Sequence, residues 1–178
     1  MVDPILRGKN TLAIEDDRQM RLLIRNLLYM LGASDVVEAS DGAEALSIVK
    51  SFRPHMIVCD LMMKPMSGLE FVRRLRGDKT NQARFVPVIM VTAHADLDNV
   101  ALARDAGVTE FMAKPLSAAG LEKRIQRMFN DPRPFVLVDD FVGPDRRRRR
   151  ANGDFGGRER RMAPPQLIPV DAAGARLG

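Results

Sequence analysis

Five polar residues occupy the same kind of place in this chain. Glu15 and Asp16 follow the apolar run at residues 11–14, Asp60 follows residues 56–59, Thr92 follows the run ending at Val91, and Lys114 lies two residues past 109–112. An aspartate after such a run is most simply a turn residue or a helix cap. Brought together, the five residues could do more. Three carboxylates in one place repel unless a cation sits among them. Oxygen donors without His or Cys suit a hard ion, and Mg²⁺ takes one or two carboxylates, keeps waters and bridges to phosphate oxygens. A carboxylate can also act as a nucleophile and form an acyl phosphate. A lysine and a cation would then neutralise the transferring phosphoryl oxygens, with a threonine hydroxyl left to hydrogen-bond the product.

The elements needed to converge these residues are present. Short apolar runs bounded by turn signals read as buried strands at residues 11–14, 35–39, 56–59, 85–91 and 109–112. Met20, Leu23, Ile24, Leu27, Leu28 and Leu31 make one face of a helix that Gly32 closes. Asp41 with Glu44 and Ser67 with Glu70 are capping boxes, and Asp96 and Ser117 are further N-caps. The helix after Asp41 stops before Pro54, and Gly107 ends the helix after Asp96. Leu121, Ile125, Met128 and Phe129 form the stripe of the last helix. Strands alternating with helices over short connections imply βαβ units and a parallel sheet covered on both faces. In a parallel sheet all five polar residues fall on one edge, where open α/β sheets place their ligand crevice.

Composition agrees with a globular α/β domain. The chain is 46% hydrophobic and 29% charged, and no apolar run reaches the ~18 residues that span a bilayer. The N-terminal segment has no signal-like apolar region, so a cytoplasmic location without membrane attachment is expected. The single cysteine, Cys59, excludes an internal disulfide and any cysteine metal cluster, and it reads as a core residue. No G-x-G-x-x-G follows the first strand, which argues against nicotinamide binding. Residues 1–130 carry 18 Lys/Arg against 16 acids, whereas residues 131–178 carry 10 Arg, no Lys and 7 acids. That shift marks a boundary between one domain at 1–130 and a tail at 131–178.

The segments LAIEDD with the following MR (12–17, 20–21), VCDLMM with PMSG (58–68), MVTA (90–93), DAG (105–107) and FMAKPL (111–116) together resemble the receiver domain of two-component response regulators. The resemblance covers about Lys9 to Asn130. It implies a flavodoxin-like, doubly wound five-stranded parallel sheet in the order 2-1-3-4-5 with five helices. Asp60 would be phosphorylated by a histidine kinase or a histidine phosphotransfer protein. Glu15, Asp16 and the Met62 carbonyl would hold Mg²⁺ beside Asp60, with Asp16 ligating directly and Glu15 acting through water. Lys114 would contact the phosphoryl group, and Thr92 and Phe111 would form a switch pair that alters the face presented to a downstream protein. Such a protein is not an enzyme beyond the chemistry of its own phosphorylation and dephosphorylation. Asp17 reads instead as a helix N-cap. A phosphatase using an aspartate nucleophile on a similar sheet would resemble a D-x-D pattern, and Met62 stands at the second aspartate.

The family pattern is broken in three ways. Lys64 stands where the family usually has proline, with Pro65 one place later; Lys64 itself reads as a solvated loop residue. The switch aromatic is Phe111 rather than tyrosine, so it can pack but cannot donate a hydrogen bond. Met62 and His94 occupy the positions two beyond Asp60 and Thr92; Met62 is expected to shield the acyl phosphate, and His94 reads as an exposed loop histidine.

The tail opens with a DPRP linker and a strand-like run, PFVLVDDFVG. A repeat of the form F-x-G-x-[D/E]-R-R starts at Phe141 and again at Phe155, and residues 146–150 are all arginine. Arg146, Arg147, Arg160 and Arg161 are the candidate anion or partner contacts. From Met162 onward the composition predicts disorder, so the tail as a whole is expected to be largely irregular. The alternative function is a nucleic-acid-binding regulator with this tail as effector. Against it stand the absence of a helix-turn-helix or zinc-finger pattern and only two aromatics, Phe141 and Phe155, placed to interleave with the arginine clusters.

Overall fold

Five strands are only four or five residues long, and the three central ones are apolar on both faces, as a sheet sandwiched between helices requires. In a computed structural model, which describes residues 4–93, 96–138, 141–145 and 166–169, they are β1 (Asn10–Ile14), β2 (Asp35–Ala39), β3 (Met56–Asp60), β4 (Val88–Thr92) and β5 (Glu110–Ala113). All pairings among them are parallel, in the order β2-β1-β3-β4-β5. Five helices connect and follow them: α1 (Arg18–Met30), α2 (Gly42–Ile48), α3 (Gly68–Gly77), α4 (Leu97–Ala106) and α5 (Ala118–Asn130).

The period-2 alternation of the strands sorts the core into two layers. Leu12, Ile14, Ile57, Cys59, Val88 and Met90 face Ala45, Phe71, Val72, Leu75 and Ala103 of α2, α3 and α4. Ala13, Met56, Val58, Ile89 and Val91 face Ile24, Leu28, Leu121 and Ile125 of α1 and α5. Every anticipated N-cap is in place, since Asp17, Asp41, Ser67, Asp96 and Ser117 each accept a backbone N–H of the first turn. Gly32 and Gly107 follow α1 and α4 with φ of 94° and 92°, the left-handed conformation that costs glycine least.

Several sequence expectations need correction. The fourth strand begins at Val88, not at residue 85, because Gln82–Phe85 forms a 3-10 helix and Pro87 has no N–H for a ladder. Leu23 is 41% exposed, so the buried stripe of α1 is Ile24, Leu27 and Leu28. Neither capping box closes reciprocally. Glu44 accepts from the N–H and hydroxyl of Ser40, one residue before the cap, and Glu70 pairs with Arg74 at 2.6 Å instead of turning back.

Parts of the tail, among the described residues, are ordered where the composition alone gives no strand. Strands β6 (Phe135–Val138), β7 (Phe141–Pro144) and β8 (Gln166–Ile168) form an antiparallel sheet in the order β7-β6-β8. The run after the linker is therefore a hairpin, and at residues 166–168 the expected disorder gives way to a strand. Phe135 packs edge-on against Phe85 and lies under the Arg76 guanidinium, which anchors the small sheet to the larger domain. No helix among the described residues is long and apolar enough to cross a membrane.

Candidate active site

Because the five strands of the main sheet run the same way, the residues singled out in the sequence gather at their carboxyl ends. Asp60 is the last residue of β3 and is only 3% exposed. One carboxylate oxygen accepts the Met62 N–H at 2.7 Å, and the other meets Lys114 Nζ at 2.7 Å. The same ammonium reaches Glu15 Oε2 at 2.9 Å. Asp16 is exposed, and one oxygen of each of Glu15, Asp16 and Asp60 lies within 4.8 Å of the others. Thr92 ends β4, fully buried, and its carbonyl accepts the Lys114 N–H at 2.7 Å. That bond fixes where the lysine leaves the sheet edge.

The electrostatics follow from this crowding. Burial pushes the Glu15 carboxyl above its ordinary range; the Lys114 hydrogen bond opposes the rise and the Asp60 charge adds to it. Burial pulls the Lys114 ammonium down, but its bonds to Asp60 and Glu15 outweigh that and hold it above its ordinary value. One ammonium thus serves two carboxylates, while the third carboxylate faces solvent. The donors are oxygen only, which suits a hard divalent ion such as Mg²⁺ and not a soft one.

Other expectations find their places. Asp17 is an N-cap, its Oδ1 accepting the Met20 N–H at 2.7 Å. Cys59 is buried beside the site, its thiol pushed well above the ordinary range by burial and the neighbouring carboxylates. Phe111 is half-buried against the layer of α2, α3 and α4. Met62 is 67% exposed, so its backbone rather than its side chain touches Asp60. Lys64 is exposed. His94, Arg146, Arg147, Arg160 and Arg161 lie outside the described residues.

Two contributors escaped the sequence reading. Arg21 donates through Nη1 to the carbonyls of Glu15 and Asp16, at 2.5 and 3.3 Å, and so clamps the acidic loop from the first turn of α1. Its place beside Met20 in a recurring segment was visible, but not its target. Gly68 lets the start of α3 press against β3, since a Cβ there would lie 2.0 Å from the Asp60 carbonyl oxygen. In the sequence it looked like an ordinary helix opening.

Comparison with known proteins gives a consistent answer. A model of the response regulator receiver domain matches residues 11–126. Chemotaxis protein CheY of Pseudomonas aeruginosa is 36% identical over 118 residues, covering 66% of this chain and 94% of the relative. The structure of chemotaxis protein CheY4 of Vibrio cholerae superposes with a TM-score of 0.62 at 30% identity, covering 67% of this chain and 97% of that one. The receiver domain of a Pseudomonas aeruginosa sensor histidine kinase gives 0.60 at 28% identity, covering 67% and 95%, and its structure holds a magnesium ion coordinated in the active site cleft.

Proposed function

The chain belongs to the response regulator receiver family, and on that premise we propose that Asp60 accepts a phosphoryl group from a histidine kinase or a histidine phosphotransfer protein. The observation that carries this is a nearly buried carboxylate, Asp60, sharing one ammonium with Glu15 while a third carboxylate stands within 4.8 Å. An Asp60 oxygen attacks phosphorus and the bond from phosphorus to the donor imidazole nitrogen breaks. The phosphoryl group is left as a mixed anhydride on the side chain. The Met62 N–H and Lys114 hold the carboxylate, and Lys114 is within reach of the oxygens that arrive.

Glu15, Asp16, Asp60 and the Met62 carbonyl are the groups that would hold Mg²⁺. Bound there, the ion would neutralise charge on the phosphoryl oxygens. Arg21 keeps the acidic loop in position for that role. The protein's chemistry in this reading is limited to gaining and losing its own phosphoryl group. Thr92, at the end of β4, and Phe111, on the neighbouring strand β5, would pass the change to a downstream protein in the cytoplasm.

The test is intact mass after incubation with a small phosphodonor, with and without Mg²⁺, for wild type and Asp60→Asn. One phosphoryl group should be gained only by the wild type and only with the ion. A gain that survives the substitution would refute the assignment.

A further inference from the structure

The opposite end of the sheet carries a second concentration of polar groups, and nothing in the phosphorylation chemistry uses it. A cleft of about 640 Å³ opens there between the 3-10 helix Gln82–Phe85 and the C-terminal sheet, within the size range of small-molecule sites. Its polar wall includes Arg53, His55, Lys79 and Arg84, and among the described residues no acidic side chain lines it. Its apolar wall includes Leu137 and Ile168 of β6 and β8.

The buried arginines rest on aromatic rings, Arg84 over Phe85 and Arg76 over Phe135, but neither has a carboxylate partner among the described residues. Arg84 is 7% exposed, its Nε has no hydrogen-bond acceptor, and no carboxylate pairs with it among the described residues. Asp78 is an acid whose field reaches Arg84, but its carboxylate is occupied by the N–H and hydroxyl of Thr80. Arg84 adjoins a second buried arginine, Arg76, whose Nη1 donates to the Arg84 carbonyl and whose Nη2 is likewise unpartnered. Burial and, after it, the Arg84 charge pull Arg76 down to about 9. An unpaired buried cation is costly, and an incoming anion would relieve it. His55 adds a donor, because its Nδ1 accepts the Asn10 N–H at 3.0 Å and so leaves the proton on Nε2.

We propose that this cleft binds a nucleotide, with its phosphates on Arg53, Lys79 and Arg84 and its base against Leu137 and Ile168. The two walls favour such a ligand over a simple anion, because cations alone would serve phosphate but would leave the apolar side unused. The second wall belongs to the C-terminal sheet, so the site exists only when that sheet is docked. Ligand binding and docking are therefore linked.

Calorimetric titration of the full chain with ATP, GTP, inorganic pyrophosphate and adenosine tests the proposal. ATP or GTP should bind saturably and more tightly than pyrophosphate, and adenosine should not bind. The exposed pair Arg53→Ala/Lys79→Ala should weaken nucleotide binding about tenfold or more, since two charge-assisted contacts are lost. Labelling at Asp60 should be unchanged in that variant, which also shows that it is folded. Alanine at Arg146 and Arg147 should leave nucleotide affinity intact. No saturable binding, equal affinity for pyrophosphate, or loss confined to the Arg146/Arg147 variant would each overturn the proposal.

Discussion

At the residue scale, Glu15 carries the clearest conflict between stability and function. It is 1% exposed, and burial raises its pKa above the ordinary 4.5 despite the Lys114 bond. A carboxyl whose folded pKa is raised contributes stability below its unfolded pKa and loses it as pH climbs through the folded value. Ionisation of Glu15 is therefore disfavoured by the folded site when no divalent ion is bound. Glu15→Gln removes that charge and keeps an oxygen that can accept from Lys114. In the presence of a chelator its Tm should exceed that of wild type at pH 7, with the gap closing toward pH 4. Its Mg²⁺-dependent phosphorylation should fall at the same time. A Tm equal to or below wild type at pH 7 would mean that the Lys114 pair, not burial, dominates at Glu15. The five site residues were legible in the sequence because each ends or closely follows a strand, and parallel strands bring their carboxyl ends together. Arg21 and Gly68 were not legible, because their targets are backbone carbonyls that only the folded loop presents.

At the scale of elements, helix starts were easier to read than strand starts or capping partners. A cap is a local bond between neighbours, and all five helices begin where Asp or Ser predicted. The fourth strand was overextended because Phe85 and Val86 are apolar for another reason: Phe85 packs on Phe135 of a segment more than forty residues away. Gly107 shows how one residue can answer both local and distant demands. Its φ of 92° ends α4, and a Cβ there would also lie 2.5 Å from the Val142 carbonyl oxygen of β7. Gly8 has φ of 73° with nothing within 4 Å of its would-be Cβ. Gly8→Ala should therefore cost only the left-handed backbone strain, about 1 kcal/mol. Gly107→Ala should cost that and more, about 2 kcal/mol or above, because β7 must shift away. Urea unfolding of both variants measures the difference, and equal costs would mean that β7 is not held against the α4 cap.

At the scale of the whole molecule, the site and the small sheet lie at opposite ends of the main sheet. Asp60, Thr92 and Lys114 mark the carboxyl ends of the strands. Gly107, Thr109 and Phe85, which meet the tail, mark the amino ends. A five-residue strand separates the two by roughly 13 Å, and among the described residues the tail contributes no carboxylate to the acidic cluster. It does contribute to the fold. Arg133 donates to the Thr109 carbonyl and joins Arg124 and Arg127 around the buried Glu110, while Phe135 covers Arg76. Deleting residues 131–178 strips an aromatic ring from a packed position, a loss of about 3 kcal/mol or more. Exposing Arg76 to water returns part of it, because a cation held down to about 9 by burial regains its hydration. The truncated chain should therefore melt at a lower temperature yet still gain one Mg²⁺-dependent phosphoryl group at Asp60, as intact mass and thermal melts would show together. Loss of labelling in a chain that remains folded would place the tail within the phosphorylation site. Retained labelling leaves α4, whose cap meets β7 and whose first residues follow the site edge, as the element joining the two ends.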